Sequence, residues 1–393
     1  STMEQKFTLS PKLIITGVIL ILIGLVTFIY GFITEPERTW ANYLLNNYYF
    51  LSLAIGGTFW VALQRITQAG WSSAFIRIPE AFANYIPAAA IFFLLMWVGF
   101  HELYEWTHYE VVENDPVLLH KKPYLNITFF MIRLVIFFAV WIIMTQLMRK
   151  VSREEDLHNG MRPFDKGEWY SKVYIFLLAL TFSLASFDWI MSIEPHWYST
   201  IFALKNFVAA FYHASAVIVL MIIIMHKFGY FRFINNSHMI DLSKYVFILA
   251  IIWGYFWFSQ YLLMWFANIP EETIYYVKRI EGPYTLYFYL NIAINTGLPF
   301  VVLLSNYLAK SKTILGLVAV ALMIGQWIDL YLQIMPGATH SHVYTVGIIE
   351  IGTYLGYLGL FFMIVLYTMT KLSLVPKNHP LIEESVQHHL HEV

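Results

Sequence analysis

Ionisable and amide side chains stand at a few positions inside the long apolar stretches of this 393-residue sequence. An ionisable side chain at the centre of a membrane helix costs about 2.5–3.5 kcal/mol, so each such position requires a partner or a function. Carboxylates and histidines in that environment have tunable pKa values and can relay protons. The polar residues within apolar stretches are Arg133, Asp188, Lys205, His213, Gln260, Asn291, Asn295, Gln326, Asp329, Gln333 and Glu350.

Their spacing places several of these side chains on common helix faces. Gln326, Asp329 and Gln333 are spaced i, i+3 and i+7 and form one polar stripe. Asn291 and Asn295 are one helical turn apart. Because lipid cannot satisfy polar groups, such stripes must face protein or water.

The composition indicates that lipid is the solvent for most of the surface. The chain is 59% hydrophobic and 12% charged, with a mean hydropathy of +0.60, whereas a soluble domain carries roughly 25% charged residues. A net charge of −1 argues against a nucleic-acid partner. Cysteine is absent, which excludes iron–sulfur ligation and covalent haem c attachment within this chain.

Ten apolar segments are long enough to cross a bilayer, which needs about 20 residues. The sequence therefore predicts an all-α integral membrane protein with a polytopic domain over 1–376 and a polar, His-rich cytoplasmic tail over 377–393. The predicted spans are roughly 12–34, 46–67, 80–104, 124–148, 170–193, 200–227, 244–267, 285–309, 313–335 and 344–371.

The distribution of Lys and Arg predicts the orientation of these spans. Of the 24 Lys and Arg residues, seventeen lie on the side of both termini, five lie on the other side, and Arg133 and Lys205 lie within spans. Both termini are therefore expected in the cytoplasm, and 35–45 and 268–284 are expected to be outer loops.

With this orientation, most of the polar residues lie in the outer halves of their spans, and Glu194 and His196 lie in the outer loop 194–199. We expect a hydrated cavity among spans five to ten that opens outward. We predict that its proton path comprises Asp188, His213, Asp329, Glu350, Lys205, Gln260, Gln326, Gln333, Glu194 and His196.

A purely structural role for these residues is the alternative. Lys205 could pair with Asp188 or with Glu350, and Arg133 could pair with Glu102. Such ion pairs would join helices without carrying protons.

Metal and haem sites find little support in the sequence. His213 and His226 lie on one predicted helix, but no second span offers histidines at both matching depths. His196, His340 and His342 have no fixed-spacing metal signature. Nucleotide-binding and hydrolase motifs are also absent, and we predict no metal in this chain.

Spans two to five and six to nine can be superposed as two four-helix bundles, bundle A at about 46–193 and bundle B at about 200–335, flanked by spans one and ten. Asp188 and Asp329 then occupy equivalent depths. An offset of four spans would make these parallel repeats.

Three sequence runs resemble a known family. They are Ser186 to Thr200 (SFDWIMSIEPHWYST), Trp257 to Glu272 (WFSQYLLMWFANIPEE) and Gln326 to Tyr331 (QWIDLY). They are similar to the NrfD/PsrC-like membrane subunits of bacterial alternative complex III, a quinol:cytochrome c oxidoreductase, and most like the smaller of its two such subunits.

The resemblance implies a respiratory function in the bacterial inner membrane. The expected partners are a sister NrfD-like subunit that binds quinol or menaquinol, a periplasmic iron–sulfur protein, c-type cytochrome subunits and a terminal oxidase, together with lipid. The iron–sulfur clusters and haem c would sit on those partners, with no cofactor covalently bound here. This chain is expected to scaffold the redox subunits and to provide a proton path near the periplasm.

Three other functions stay open at this point. The chain could bind and oxidise quinol itself, with His213 or Glu350 accepting the proton. It could be a secondary transporter, although Asn295 to Pro299 is the one marked helix-breaking segment. It could also be a purely structural anchor.

Overall fold

The protein is described here from a computed structural model that covers residues 5–340, 342 and 344–389. Ten long helical segments in chain order dominate these residues, and we label them α1 to α10. They are α1 Pro11–Thr34, α2 Pro36–Ile66, α3 Ser73–Leu103, α4 Ile127–Leu157, α5 Arg162–Trp189, α6 Phe202–Lys227, α7 Asn236–Ala267, α8 Gly282–Leu303, α9 Lys312–Ala338 and α10 Ile348–Met369.

Within the described residues, nine of these helices are long and apolar enough to cross a membrane. The all-α, multi-pass membrane fold expected from the sequence is therefore present. The exception is α2, which is long enough but carries many polar residues, among them Asn42, Asn46 and Asn47.

Helix α2 is the centre of the bundle. It packs against α3, α5, α6, α9 and α10, and most of its side chains are buried. Because neighbouring helices rather than lipid surround it, polar side chains on α2 can find protein partners. Since α2 contacts helices assigned to both predicted bundles, bundle A and bundle B share an extensive interface, and their relation as repeats stays a prediction.

The ends of several helices differ from the prediction. Residues 35–45 were expected to be an outer loop, but α2 begins at Pro36, where proline is well accommodated in the first helical turn. The expected loop 268–284 contains an amphipathic helix, Pro270–Ile280. Apolar run length predicts the lipid-crossing part of a helix and misses polar turns that continue beyond it.

Two helices are built from irregular segments. Helix α3 consists of short α and 3₁₀ pieces, with Pro79 and Pro87 near their beginnings. Helix α8 contains a π-turn at Ala293–Gly297, just before Pro299. The helix-breaking character expected near Asn295 is thus present as a local π-turn.

Helices α1 and α10 pack closely through glycines. Gly24 approaches Gly356 so tightly that a Cβ atom on Gly24 would lie 2.3 Å from the Gly356 Cα atom. Gly17 and Gly31 continue the same face of α1. Small residues of this kind let membrane helices approach backbone to backbone.

The C-terminal segment folds back onto the face of the molecule that carries both termini, which we call the termini face. Leu374 N donates to Gln5 O at 2.8 Å, and Arg77 Nη1 donates to Ser373 O at 3.0 Å. Asn378 Nδ2 donates to Asp156 O at 2.9 Å. The tail was expected to need a neighbouring subunit for order, but residues 377–389 dock on this chain itself; residues 390–393 lie outside the described residues.

Replacing Gly24 by Val should force α1 away from α10, because no side chain can be accommodated against the Gly356 backbone. We expect a loss of roughly 1–3 kcal/mol, typical of overpacking. Thermal unfolding in detergent micelles measures the effect, with Val26→Leu at a 65% exposed site of the same helix as control. Equal melting temperatures for the two variants would contradict the close packing.

His379 should make attachment of the tail dependent on pH. Burial, together with the charges of Arg65 and Arg77, lowers the pKa of His379 from 6.5 to about 3. The unfolded segment therefore binds a proton between these values and the folded one does not, so stability falls as pH drops below 6.5.

The measurement is thermal unfolding and tail proteolysis at pH 7.5 and 5.5. The wild-type tail should loosen more on acidification than the tail of His379→Phe, which has no titrating group at this site. A parallel loss in both proteins would show that other groups cause the pH effect.

Candidate functional site

Asp329 on α9 lies at the centre of a buried polar network. Its side chain is 2% exposed, and its Oδ1 atom accepts a hydrogen bond from Asn291 Nδ2 at 3.0 Å. Gln333 Nε2 donates to Oδ2 at 3.1 Å, and Lys205 Nζ lies 3.8 Å from Oδ1. Three helices, α6, α8 and α9, therefore supply the partners of one carboxylate.

The π-turn of α8 extends this network toward the middle of the bundle. Asn295 Nδ2 donates to Asn291 Oδ1 at 2.7 Å and to Gly325 O at 2.9 Å, and Gln326 Nε2 donates to Asn295 Oδ1 at 2.9 Å. A Cβ atom on Gly325 would lie 2.7 Å from Asn295 Oδ1, so glycine is needed for this approach. The π-turn changes the helical register locally and lets its side chains meet α9.

Gln333 connects the network to the face opposite the termini. Its Nε2 atom also donates to Asn206 Oδ1 at 3.0 Å, and its backbone oxygen accepts from Arg279 Nη2 at 3.3 Å. Arg279, on the Pro270–Ile280 helix, donates from the same Nη2 atom to Glu194 Oε2 at 2.7 Å. Hydrogen-bonded groups thus lead from Asp329 to Glu194.

Arg279 is held rigidly in this position. Its guanidinium lies 3.4 Å from the centroid of the Tyr275 ring, and that ring stacks on Trp197 at 3.8 Å with an interplanar angle of 10°. Burial alone would lower the pKa of Arg279, but the neighbouring Glu194 carboxylate reverses the effect and raises it. Arg279 therefore carries a fixed positive charge beside Glu194.

Glu194 borders a cavity of about 480 Å³ that opens at this face. The side chain of Glu194 is 15% exposed, and Lys278 Nζ lies 3.5 Å from its Oε1 atom. His196 lines the same cavity and forms an ion pair with Asp115, and this hydrogen bond lowers the pKa of Asp115. Further lining residues are Glu105, Ile193, Pro195, Trp197, Glu271, Ile274, Tyr275, Pro336, Gly337 and His340.

Asp188 lies in a separate pair. Arg133 Nε donates to its Oδ2 atom at 2.6 Å, and Tyr124 OH donates to Oδ1 at 2.8 Å. The guanidinium of Arg133 also covers the Tyr124 ring at 3.8 Å. The sequence-based alternatives of Arg133 with Glu102, and of Lys205 with Asp188, are therefore wrong, because Arg133 satisfies Asp188 across α4 and α5.

Glu350 has its own counter-ion on the central helix. Arg38 Nε lies 3.1 and 3.0 Å from the two carboxylate oxygens, and Arg38 Nη2 also contacts Oε1. Asn42 Nδ2 donates to Oε2 at 3.4 Å. The alternative pairing of Lys205 with Glu350 is wrong, because Lys205 faces Asp329 instead.

His213 and Gln260 lie outside the Asp329 network. The His213 ring packs 4.3 Å from the Tyr49 ring, and its buried Nε2 atom has no hydrogen-bond partner. Gln260 Nε2 donates to Tyr276 OH at 2.8 Å, and Gln260 Oε1 accepts from Ser199 Oγ at 3.3 Å. Of the predicted path, the structure joins Asp329, Lys205, Gln326, Gln333 and Glu194 into one network and places Asp188, Glu350, His213, Gln260 and His196 elsewhere.

Several polar residues of the site were missed from the sequence. Arg279 and Arg38 were counted as loop charges, and Asn206 was overlooked beside Lys205. Asn42 and Asn46 are spaced i, i+4, a pattern that could have marked a polar face of α2. Their segment was read as an outer loop, which hid that periodicity.

Buried polar atoms without a protein partner surround the network. They include Asn206 Nδ2, Gln333 Oε1, Asn42 Oδ1, Asn46 Oδ1 and His213 Nε2. Internal water is the usual partner of such atoms. Among the described residues, no three His, Asp or Glu side chains are grouped closely enough to hold a metal ion.

The fold and the site together define a multi-pass, all-helical membrane protein with a compensated polar network reaching one face. No protein-family model matches the chain, and no curated protein matches it.

Removing one member of the Arg133–Asp188 pair should destabilise the protein more than removing both. Arg133→Leu leaves a buried carboxylate without its counter-ion, which typically costs about 3–5 kcal/mol, whereas Arg133→Leu/Asp188→Leu removes both charges. Thermal unfolding in micelles should give a lower melting temperature for the single variant than for the double variant.

Lys172→Leu provides the control, because Lys172 is 54% exposed in its pair with Glu168 and such pairs contribute little. If Arg133→Leu were as mild as this control, the pair would have no structural role.

Proposed function

We propose that this chain is a membrane subunit of a bacterial quinol-oxidising respiratory complex of the alternative complex III type. It would scaffold the redox subunits and conduct protons near the periplasmic face. The three sequence runs that resemble the NrfD/PsrC-like subunits support this assignment, because they contain Asp188, Glu194, Gln260 and Asp329. The observation that carries the proton-conducting part is the continuous polar network from Asp329 to the Glu194 cavity.

In the proposed path, Asp329 is the inner acceptor of a proton. Lys205 lies close enough to compensate its charge, and the amides of Asn291 and Gln333 orient both carboxylate oxygens. A carboxylate beside a lysine can exchange protons at modest energetic cost, because one charge is always balanced by the other. This arrangement suits transient protonation.

Glu194 is the proposed outer end of the path. Arg279 keeps its own proton at all accessible pH values, so it guides the proton electrostatically and does not relay it. Water next to the partnerless atoms of Gln333 and Asn206 would bridge Asp329 and Glu194. From Glu194 the proton would reach the outer cavity.

The opposite half of the bundle offers no comparable opening. At the termini face, Arg65 pairs with Glu155 at 3.0 Å and Arg77 with Asp156 at 2.9 Å, and the docked tail covers this region. We therefore infer a half-channel that releases protons outward, without pumping them across the membrane.

The topology completes the proposal. We infer that α2 is the tenth span, since its 31 residues lie among helices that cross the membrane. The excess of Lys and Arg on the termini face then places both termini in the cytoplasm and the Glu194 cavity in the periplasm. Quinol, the iron–sulfur clusters and haem c would be bound by the partner subunits.

Asp329→Asn should lower quinol-dependent electron transfer and outward proton release by roughly tenfold or more, because an amide cannot carry the proton. Glu194→Gln should act in the same direction. Both are measured with the intact complex in vesicles, as cytochrome c reduction and external acidification.

Asp165→Asn is the matched control, since Asp165 is exposed on the termini face. Size-exclusion profiles and haem content verify assembly of each variant. Unchanged turnover and proton release in assembled Asp329→Asn would leave the network with a purely structural role.

A further inference from the structure

An apolar slot of about 300 Å³ lies between α9 and α10 on the lipid-facing side of the bundle. Its walls include Met323, Trp327, Ile351 and Leu355. The side chains around its opening face outward, as shown by Ile351, which is 55% exposed. In a bilayer such a slot is filled by hydrocarbon.

One hydrogen-bond donor in this slot has no partner. Trp327 Nε1 is buried without an acceptor, while the Trp327 ring is fixed by stacking on Tyr331 at 5.1 Å. The other polar groups of the wall are already used: Glu350 bonds Arg38, and Tyr354 OH bonds Tyr49 OH at 3.1 Å. A buried N–H group without an acceptor costs free energy, so a ligand that offers one oxygen acceptor is favoured.

The depth of Trp327 indicates which oxygen that is. Tyr49 OH bonds both Met323 O and Tyr354 OH, so position 323 of α9 is level with position 354 of α10. Trp327, one turn further along α9, is therefore level with Glu350 in the first turn of α10. Since the 22 residues of α10 span about 33 Å and the hydrocarbon layer is about 30 Å thick, this first turn lies at its boundary.

We propose that the slot binds one acyl chain of a glycerophospholipid from the leaflet opposite the termini, with the ester carbonyl oxygen accepting a hydrogen bond from Trp327 Nε1. The chain fills the apolar wall, and the ester lies at the depth where phospholipids carry it. A single unpaired donor matches one ester carbonyl, whereas a quinone ring presents two opposed oxygens. The site is independent of the proton path.

The test compares diester with diether phosphatidylglycerol, which lacks the carbonyl groups. Delipidated full-length protein is titrated with each lipid in micelles, and bound lipid is counted by native mass spectrometry. Wild type should hold the diester roughly threefold to tenfold more tightly, the effect of one hydrogen bond. Trp327→Phe should bind the two lipids equally, while Trp265→Phe, at a 62% exposed site, should keep the preference.

Two further measurements make the outcome decisive. Ile351→Trp, which fills the slot, should abolish tight binding of both lipids while preserving a monodisperse protein. Equal binding of diester and diether to wild type would overturn the proposal. Stoichiometric prenylquinone in the purified protein, lost in Trp327→Phe, would also overturn it and assign the slot to quinone.

Discussion

A low-dielectric interior accepts an ion only beside a counter-ion with satisfied hydrogen bonds, and this constraint organises the whole protein. Asp188 meets Arg133, Asp329 meets Lys205, and Glu350 meets Arg38. Each pair joins two helices, and the Arg38–Glu350 pair joins the second helix to the tenth. Charges that are costly in lipid thus become specific contacts between helices.

Helix α2 illustrates the same constraint from the side of packing. Its polar residues would be unfavourable against lipid, so the helix occupies the centre, where α6, α9 and α10 offer hydrogen-bond partners. The more apolar helices, such as α1, lie at the periphery and expose much of their surface. Polarity is therefore inverted relative to a soluble bundle.

The ion pairs differ in what they can do. Asp188 and Glu350 are each closed off by one arginine, an arrangement that favours stability. Asp329 has a lysine at 3.8 Å, two amide donors and a continuation through Gln333 and Arg279 toward an open cavity. This asymmetry is why the proposed proton path is confined to the Asp329–Glu194 network.

The sequence by itself determined the membrane class, the approximate positions of the lipid-crossing helices and the polar stripe of Gln326, Asp329 and Gln333, because hydrophobic length and helical spacing are local properties. It also marked the helix break near Asn295. Only the tertiary structure decided that Arg133 belongs to Asp188, that Arg38 belongs to Glu350 and that Arg279 links Gln333 to Glu194. These pairings depend on which helix faces meet and at what depth, and residues far apart in the chain carry no local signal of that geometry.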